Sequence, residues 1–486
     1  MKRNLCIPVL IAVMVLTIPV SCSDYLDFPA EGVVPSQEFF QNADQAEQSV
    51  VAIYAHMRAW TMVGFAYIIM QEITSDNAVK GSAIGDASFI NDFDRFAFTS
   101  NQFILNDYWS GRYQGINRAN QYISNIPGIA MDEARKARLV AEAKFARALF
   151  YFDLVRAFGD VPMPTSVENT QEESTRRTPA ADVYALIIQD LQDAIQVLPE
   201  QYGAGDIGRA TVWAARGLLA KVQLYRGEWN AVLEQTTAII QSGRFGLLDN
   251  FYDVFRIQNE NSMESVFEIQ SSGVPGIQDL GSQHSQIQGV RGENGFGWGF
   301  NLPSDDLITA FNNAGDDERR EATVLMRGDV TPAGDLIEGV PAGQLEGVGQ
   351  PRYNGKSYVP RSQQVSGIYE GAEQNIRVLR YAEILLIDAE AKVQTGDMSG
   401  AATSLNEVRE RVGLDPIASP TLQDIWNERR LELAMEGDRF FDLVRTGQAP
   451  AVLGSLGFVA GRNEVFPIPQ NMIDITDGEM QQNLNY

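Results

Sequence analysis

Two pairs of amphipathic helices joined by very short turns constrain the fold of this chain most strongly. Apolar periodicity predicts the first pair at residues 211–225 and 229–241, with only Arg226-Gly227-Glu228 between the helices. The second pair repeats this layout at residues 379–395 and 399–412. Helix pairs of this length bury their apolar faces by stacking on one another, as tetratricopeptide repeats do. Helix length and turn length therefore predict a tetratricopeptide-like stack.

Helical periodicity also covers much of the chain before the first pair. Apolar residues recur at intervals of three and four after a capping residue at Asn42, and Pro127 and Pro199 end two later segments. A further helix is expected after Pro420. Together these segments predict a mainly α fold. The expected helices lie at about residues 46–57, 109–126, 132–158, 183–198 and 421–436.

The helical pattern is interrupted at about residues 271–375, where glycine, aromatic and amide residues become frequent. A strand at residues 265–270 leads into this stretch, and a short helix is expected near residues 305–312. So long an irregular stretch inside a compact domain is usually functional. The predicted organisation is a single domain at residues 22–486, with a helical scaffold at about 35–270 and 376–450 and a loop-rich insertion at about 271–375.

The N-terminus has the layout of a secretory signal. Lys2-Arg3 precedes an uncharged apolar run at residues 5–20, which is too short to span a bilayer comfortably. Cys22 follows a small residue, so we expect a signal peptide at residues 1–21 and lipidation of Cys22, although Pro19 departs from the usual lipoprotein pattern. An ordinary cut that leaves Cys22 unmodified is the alternative. Two or three acyl chains would anchor the protein, at about 0.8 kcal/mol per buried methylene.

Composition excludes several classes of function. The formal net charge of −25 repels phosphate backbones, so nucleic acid is not an expected partner. The two histidines, His56 and His284, are too few for a zinc site made of several histidines. His56 falls in a helical pattern and is expected to be structural, whereas His284 lies in a polar loop that favours a ligand contact or solvation. No cofactor and no metal are expected.

Three carboxylates near the C-terminus, Glu428, Glu432 and Glu436, stand at four-residue steps, which places them on one face of a helix. Paired carboxylates can cleave glycosides. Each of these, however, has an arginine within three residues, and neighbouring arginines hold carboxylates ionised and lower their pKa. We therefore expect an ion-pair network here and no catalytic residue.

An aromatic segment inside the insertion is the first candidate for ligand binding. Phe296, Trp298 and Phe300 alternate with glycines, so an extended backbone would point all three rings to one side. Exposed ring faces suit sugars, whose C–H faces are apolar and whose rims carry hydroxyls. A strand that packs these rings onto the core is an equally good interpretation.

A polar loop at about residues 73–89 is the second candidate. Asp76 and Asp86 lie in it among amide and basic groups. Their carboxylates could accept hydrogen bonds from ligand hydroxyls or bind calcium weakly. A simple capped turn is the alternative.

Five blocks spread along the mature chain carry a family signature. They are NERRLELAMEGDRFFDLVR at residues 427–445, RYAEILLIDAEA at 380–391, FGDVP at 158–162, FPIPQ at 466–470 and QNLNY at 482–486. These blocks resemble the SusD/RagB family, the surface lipoproteins of Bacteroidetes glycan uptake systems. The resemblance covers nearly the whole mature chain.

The resemblance implies a SusD-like fold, with tetratricopeptide-like helix pairs on one side and variable ligand-binding loops on the other. It implies a lipid-anchored, surface-exposed protein of the outer membrane, and Asp24 and Asp27 resemble the acidic leader of such lipoproteins. Such a protein captures oligosaccharide or polysaccharide and delivers it to a SusC-like TonB-dependent transporter, without enzyme activity.

The shared blocks belong to the scaffold, so we expect ligand contacts in the divergent loops. A non-catalytic scaffold or a peptide-binding relative in the same uptake complexes is the alternative, and a glycoside hydrolase is a weaker one. The candidate contacts are Trp298 and Phe296 for stacking, and Asp76, Asp86, Arg291, Asn294 and Tyr353 for hydroxyls.

Overall fold

The computed structural model describes residues 40–167, 175–292, 297–366, 368 and 371–486, and helices dominate them. The predicted signal peptide and Cys22 lie outside the described residues. None of the helices described is both long enough and apolar enough to cross a membrane. In chain order the helices are α1 (Ala43–Met57), α2 (Trp60–Val63), α3 (Phe65–Ile68), α4 (Ile90–Asp94), α5 (Phe103–Asn125), α6 (Glu133–Phe158), α7 (Ala180–Ile195), α8 (Val212–Arg226), α9 (Trp229–Gln241), α10 (His284–Gln288), α11 (Asp305–Ala314), α12 (Asp317–Thr323), α13 (Tyr381–Thr395), α14 (Met398–Arg411), α15 (Leu422–Glu432), α16 (Arg439–Arg445), α17 (Ala449–Leu453) and α18 (Gln470–Ile475).

Glycine ends the first helix of each short-turn pair. α8 is followed by Gly227 and α13 by Gly396, both left-handed, with φ of 66° and 88°. A side chain disfavours this conformation, and each glycine N–H bonds back to a carbonyl of the last helical turn. The next helix begins two residues later, so it folds back against the first.

The scaffold helices pack largely in chain order. α6 packs against α5 and α7, α7 packs against α8, and α8 packs against α9. α9 then packs against α13, although the insertion separates them in sequence. The two short-turn pairs are therefore neighbours, which confirms the predicted stack. The buried apolar residues at this junction are Ala220, Leu224, Val232, Ile387 and Ala391.

Six short strands form three antiparallel pairs. They are β1 (Ala78–Gly81), β2 (Ser265–Ile269), β3 (Phe300–Pro303), β4 (Val324–Met326), β5 (Arg352–Asn354) and β6 (Ile376–Arg380). β1 pairs with β3, β2 with β6 and β4 with β5. The β2–β6 pair sets Ile269 opposite Ile376, so the two ends of the insertion meet at one place on the scaffold.

Glu432, at the end of α15, is the centre of a buried ion-pair network. Its carboxylate lies 3.1 Å from Arg319 of α12, 2.9 Å from Arg380 at the end of β6 and 2.5 Å from Arg411 at the end of α14. All four side chains are buried. Burial alone would raise the pKa of Glu432, but the three arginines hold it well below the ordinary range.

The other two carboxylates join the same network. Glu428 binds Arg319 at 2.6 Å and Arg409 at 2.7 Å, and Glu436 binds Lys356 and Arg380, each at 2.7 Å. The predicted ion-pair network is confirmed. The predicted helix, however, is too long, because α15 ends at Glu432 and leaves Glu436 in the turn that follows.

Glu72 explains why the helix ends there. Its carboxylate accepts the N–H of Met435 at 3.2 Å and of Gly437 at 2.7 Å, and both of those residues have positive φ. Burial raises the pKa of Glu72 to about 8. A carboxyl group from the N-terminal half thus fixes a turn that local periodicity could not predict.

We expect Glu432→Gln to lower the free energy of unfolding by about 3 to 5 kcal/mol, because it leaves buried arginines without a counter-charge. Urea denaturation at pH 7 measures this change. The exposed Glu234 of α9 provides the control, and Glu234→Gln should change stability by less than about 0.5 kcal/mol.

The effect should also depend on pH. Because the folded-state pKa of Glu432 lies below the unfolded value, its contribution is complete above the unfolded pKa of about 4.3. The contribution is lost as the pH falls from there toward the folded-state pKa. Equal stability of the parent and Glu432→Gln at pH 7 would contradict a stabilising network.

Candidate functional site

The end of β1 and the start of β3 bring two loops together. Gly81 lies opposite Phe300, and Ser82 donates its N–H to the carbonyl of Gly299 at 2.5 Å. Gly81 has a φ of 73°, and a Cβ there would lie 2.5 Å from the oxygen of Gly299. Glycine is therefore required at position 81, both for its conformation and for this close approach.

Three aromatic side chains form what we call the aromatic platform: Trp60 of α2, Phe65 of α3, and Trp298. The ring centroids of Trp60 and Trp298 lie 6.3 Å apart with planes inclined by 59°, and Phe65 contacts both rings at 5.4 and 5.9 Å. Trp60 is 39% exposed, and the other two rings are partly exposed. Phe300 packs beneath them, 4.9 Å from Phe65, and is buried. The interpretation as an exposed, ligand-facing ring therefore holds for Trp298, whereas the interpretation as a ring packed on the core holds for Phe300.

Backbone contacts fix the two tryptophans. The N–H of Trp298 donates to the carbonyl of Gln286 at 2.8 Å. Trp60 folds over Gly64, where a Cβ would lie only 2.8 Å from the indole ring. The platform is therefore held in place by the main chain.

A polar rim adjoins the platform and consists of Ser82, Asp86 and Arg291. One guanidinium nitrogen of Arg291 donates to the Ser82 hydroxyl at 2.7 Å, to Asp86 at 3.1 Å and to the Trp298 carbonyl at 3.1 Å. Ser82 also donates to Asp86 at 2.8 Å. The side chains of Arg291 and Asp86 are 33% and 40% exposed, so a fixed donor and a fixed acceptor face solvent beside the rings.

Tyr353 of β5 supports this rim from inside the protein. It is fully buried, and its hydroxyl donates to the Arg291 carbonyl at 3.0 Å and accepts the N–H of Val340 at 3.2 Å. Burial raises the pKa of Tyr353, so the hydroxyl stays protonated. We assign Tyr353 a supporting role, because its hydroxyl does not reach the surface.

Glu346 clamps the loop that carries the rim. Its carboxylate accepts from Lys80 at 2.6 Å, from the N–H of Gly85 at 3.2 Å and from Asn91 at 2.9 Å. Its own N–H donates to the Ser82 carbonyl at 2.9 Å. These contacts fix both ends of the turn between Ser82 and Asp86.

Asp76 lies apart from this site and is largely buried. Arg439 of α16 holds both carboxylate oxygens, at 2.7 and 2.8 Å, and Arg430 lies 3.0 Å from one of them. Burial raises the pKa of Asp76, but the two arginines bring it below the ordinary value. Its oxygens are thus engaged within the scaffold.

The structure brings Trp298, Asp86, Arg291 and Tyr353 together at one site, and it places Asp76 elsewhere. Asn294 and Phe296 lie outside the described residues. The sequence analysis did not identify Trp60 or Glu346 as site residues. Trp60 could have been found because it stands four residues before Gly64, where the helical pattern breaks, whereas no sequence pattern marks Glu346.

Both histidines lie within hydrogen-bonding distance of a backbone carbonyl. His56 is buried in α1, with Nε2 2.8 Å from the Gly111 carbonyl, as expected. His284 begins α10, so the expected polar loop is wrong: Nδ1 lies 3.0 Å from the Val63 carbonyl, and burial lowers its pKa to about 4. A ligand contact of His284 stays a prediction. Across the described ranges, no three His, Cys, Asp or Glu side chains are grouped as metal ligands.

Two family models match the sequence, and together they span most of it. One, described as the SusD family, matches residues 260–455. The other, described as starch-binding associating with outer membrane, matches residues 26–224. A relative named SusD-like protein P2, from Formosa agariphila, is 29% identical over an aligned length of 494 positions, and the alignment covers 94% of this chain and 95% of the relative.

Solved structures show the same similarity. A laminarin binding SusD-like protein superposes with a TM-score of 0.81 and 31% identity, covering 92% of this chain and all of the other. Surface glycan-binding protein A from Bacteroides thetaiotaomicron, in complex with laminarihexaose, superposes with a TM-score of 0.78 and 25% identity at the same coverage.

We expect Glu346→Ala to loosen the loop between Ser82 and Asp86 without unfolding the protein. Loss of the acceptor for the Gly85 N–H should speed amide exchange at Gly85 at least about tenfold. Hydrogen exchange measured by mass spectrometry tests this. The control is Glu338→Ala, since Glu338 is a half-exposed carboxylate 3.8 Å from Arg361 in the same insertion. Unchanged exchange at Gly85 would show that Glu346 is not the clamp.

Proposed function

Because the chain belongs to the SusD/RagB family, we propose that it is a surface glycan-binding lipoprotein that captures oligosaccharides and delivers them to a SusC-like TonB-dependent outer-membrane transporter. One observation carries the binding step: the aromatic platform of Trp60, Phe65 and Trp298 lies directly beside Asp86 and Arg291. Apolar ring faces next to a fixed donor and acceptor match the two kinds of surface that a sugar presents.

The polar rim supplies the orienting contacts. Arg291 is held by Ser82, Asp86 and the Trp298 carbonyl, so its side chain is ordered before ligand arrives. Preorganised groups lose less conformational entropy on binding. Asp86 accepts from Ser82 and Arg291 through Oδ2. Its other oxygen, Oδ1, is our candidate acceptor for a sugar hydroxyl.

The inclination of the two indoles favours a curved glycan. Ring planes 59° apart do not form a flat strip, so a ribbon-like β-1,4 chain would stack on one ring at a time. A chain that turns between successive sugars can follow both rings. The two similar structures named for laminarin or laminarihexaose support β-1,3-linked glucans as the first ligands to test.

The proposal assigns no catalytic step. Glu428 and Glu432 are buried, Glu436 is largely buried, and all three are ion-paired, so they are not placed to protonate or attack a glycoside. Asp86, the carboxylate in the candidate site, is paired with Arg291.

We propose that Cys22 carries the lipid anchor and that the body faces outward from the outer membrane. The support is the signal-like start of the sequence and the family model described as associating with outer membrane. Delivery to a SusC-like transporter rests on family membership.

Trp298→Ala should raise the Kd for laminarihexaose at least about tenfold, because it removes an anchoring aromatic surface. Trp298→Phe retains a ring, so its Kd for laminarihexaose should lie between those of the parent and Trp298→Ala. Isothermal titration calorimetry measures both, with Trp426→Ala of α15 as a control for loss of a partly buried tryptophan outside the site.

Trp60→Ala should also weaken laminarihexaose binding, because Trp60 is part of the same platform. Cellohexaose should bind the parent protein more weakly than laminarihexaose, because its β-1,4 chain does not turn between successive sugars. If both alanine variants bind laminarihexaose as the parent does, the platform is not the site. If cellohexaose binds as tightly as laminarihexaose, the preference for a curved chain is wrong.

Cys22→Ala should move the protein from the membrane fraction to the soluble fraction in cells that lack the partner transporter. Binding of laminarihexaose by the purified variant should not change, since the anchor is separate from the platform. Cys6→Ala is the matched control, because Cys6 lies within the predicted signal peptide. A Cys22→Ala protein that stays in the membrane fraction would contradict the anchor.

A further inference from the structure

A groove with a volume of about 1050 Å³ lies between the insertion and residues 249–252 of the scaffold, and it shares no lining residue with the aromatic platform or the polar rim. The insertion contributes α11, α12, β4 and the segment after β4 to its walls. We call it the lateral groove.

A rigid hairpin with an exposed apolar face forms one wall. Val330 pairs directly with Leu336, which puts both side chains on the same face, and they are 67% and 47% exposed. Thr331 and Asp335 close the turn by backbone hydrogen bonding, and both also contact the Tyr358 hydroxyl. An ordered pair of aliphatic side chains is thus presented to solvent next to the groove.

The groove is strongly negative. Arg320 is the one cation among its described lining residues, and Asp317, outside the lining, holds its guanidinium at 2.7 Å. Arg320 also lies 3.8 Å from Glu321, so this one cation of the described lining faces four exposed carboxylates. They are Asp249, Glu318, Glu321 and Asp329.

The lining favours a polypeptide over a sugar. Tyr252 is the one aromatic residue among the described lining side chains, and its ring is covered by Arg256 at 4.2 Å. Strand addition is blocked, because the Val324 N–H bonds to the Arg320 carbonyl and the Met326 N–H bonds to Asp329. Recognition must therefore come from side chains.

We propose that the lateral groove docks a basic polypeptide segment that places Lys or Arg side chains against the carboxylates and an aliphatic side chain against Val330 and Leu336. Charge complementarity selects this occupant, and the exposed aliphatic pair supplies an apolar contact at the edge of the groove. The groove shares no lining residue with the proposed glycan site, so we expect a protein partner to occupy it whether or not sugar is bound.

The probe is a fluorescein-labelled peptide of alternating Lys and Val residues, and its counterpart with Glu in place of Lys is the negative control. Fluorescence anisotropy should detect binding of the Lys peptide to the protein and no binding of the Glu peptide. Raising NaCl from 50 to 300 mM should weaken binding of the Lys peptide. The double variant Asp249→Asn/Glu321→Gln should raise its Kd about threefold to tenfold. Val330→Ser should also raise the Kd.

Two scaffold variants serve as matched controls. Glu234→Gln removes an exposed carboxylate outside the groove, and Ile207→Ser removes an exposed aliphatic side chain outside it. They should leave peptide binding unchanged. Laminarihexaose affinity should be the same in all these variants, which separates this test from that of the glycan site. No binding of the Lys peptide at 1 mM, or equal loss in the controls, would overturn the proposal. Loss of laminarihexaose binding in the groove variants would also overturn it, by identifying a sugar subsite.

Discussion

The fold depends on one buried carboxylate that three arginines share. Glu432 closes α15, and its partners come from the insertion, from the strand that ends the insertion and from the second short-turn helix pair. Removing these charges from water is costly, and the cost is offset only when every partner is present with good geometry. The network is therefore stabilising only when all of its charged side chains are in place. It fixes where the insertion sits on the helical stack.

The candidate site is a consequence of that network. The aromatic platform combines α2 and α3 of the scaffold with Trp298 of the insertion, and the polar rim combines the loop after β1 with Arg291. Neither half presents a complete sugar-binding surface, because Trp60, Phe65 and Asp86 come from the scaffold, whereas Trp298 and Arg291 come from the insertion. Glu346 of the insertion then holds the scaffold loop after β1, and Tyr353 holds Arg291 within the insertion.

The scaffold could be predicted from the sequence, whereas only part of the site could. The α8–α9 and α13–α14 pairs were visible because periodicity, glycine caps and turn length all act over a few residues. Trp298, Asp86 and Arg291 were found by composition and loop position. Trp60 and Glu346 were not, since their roles depend on contacts across more than 200 residues. The end of α15 was missed for the same reason, because Glu72 fixes it from a distant segment.

The β2–β6 pair fixes where the insertion leaves and rejoins the scaffold. The two ends of the insertion meet where Ile269 faces Ile376, so its length and loop sequences can change without moving the helices on either side. The ion pairs between the insertion and the scaffold limit this freedom. Any replacement must still supply the guanidinium of Arg319 to Glu432 and the ammonium of Lys356 to Glu436. Glu346 must likewise remain for Lys80, so the insertion can vary only where it leaves these charged contacts intact.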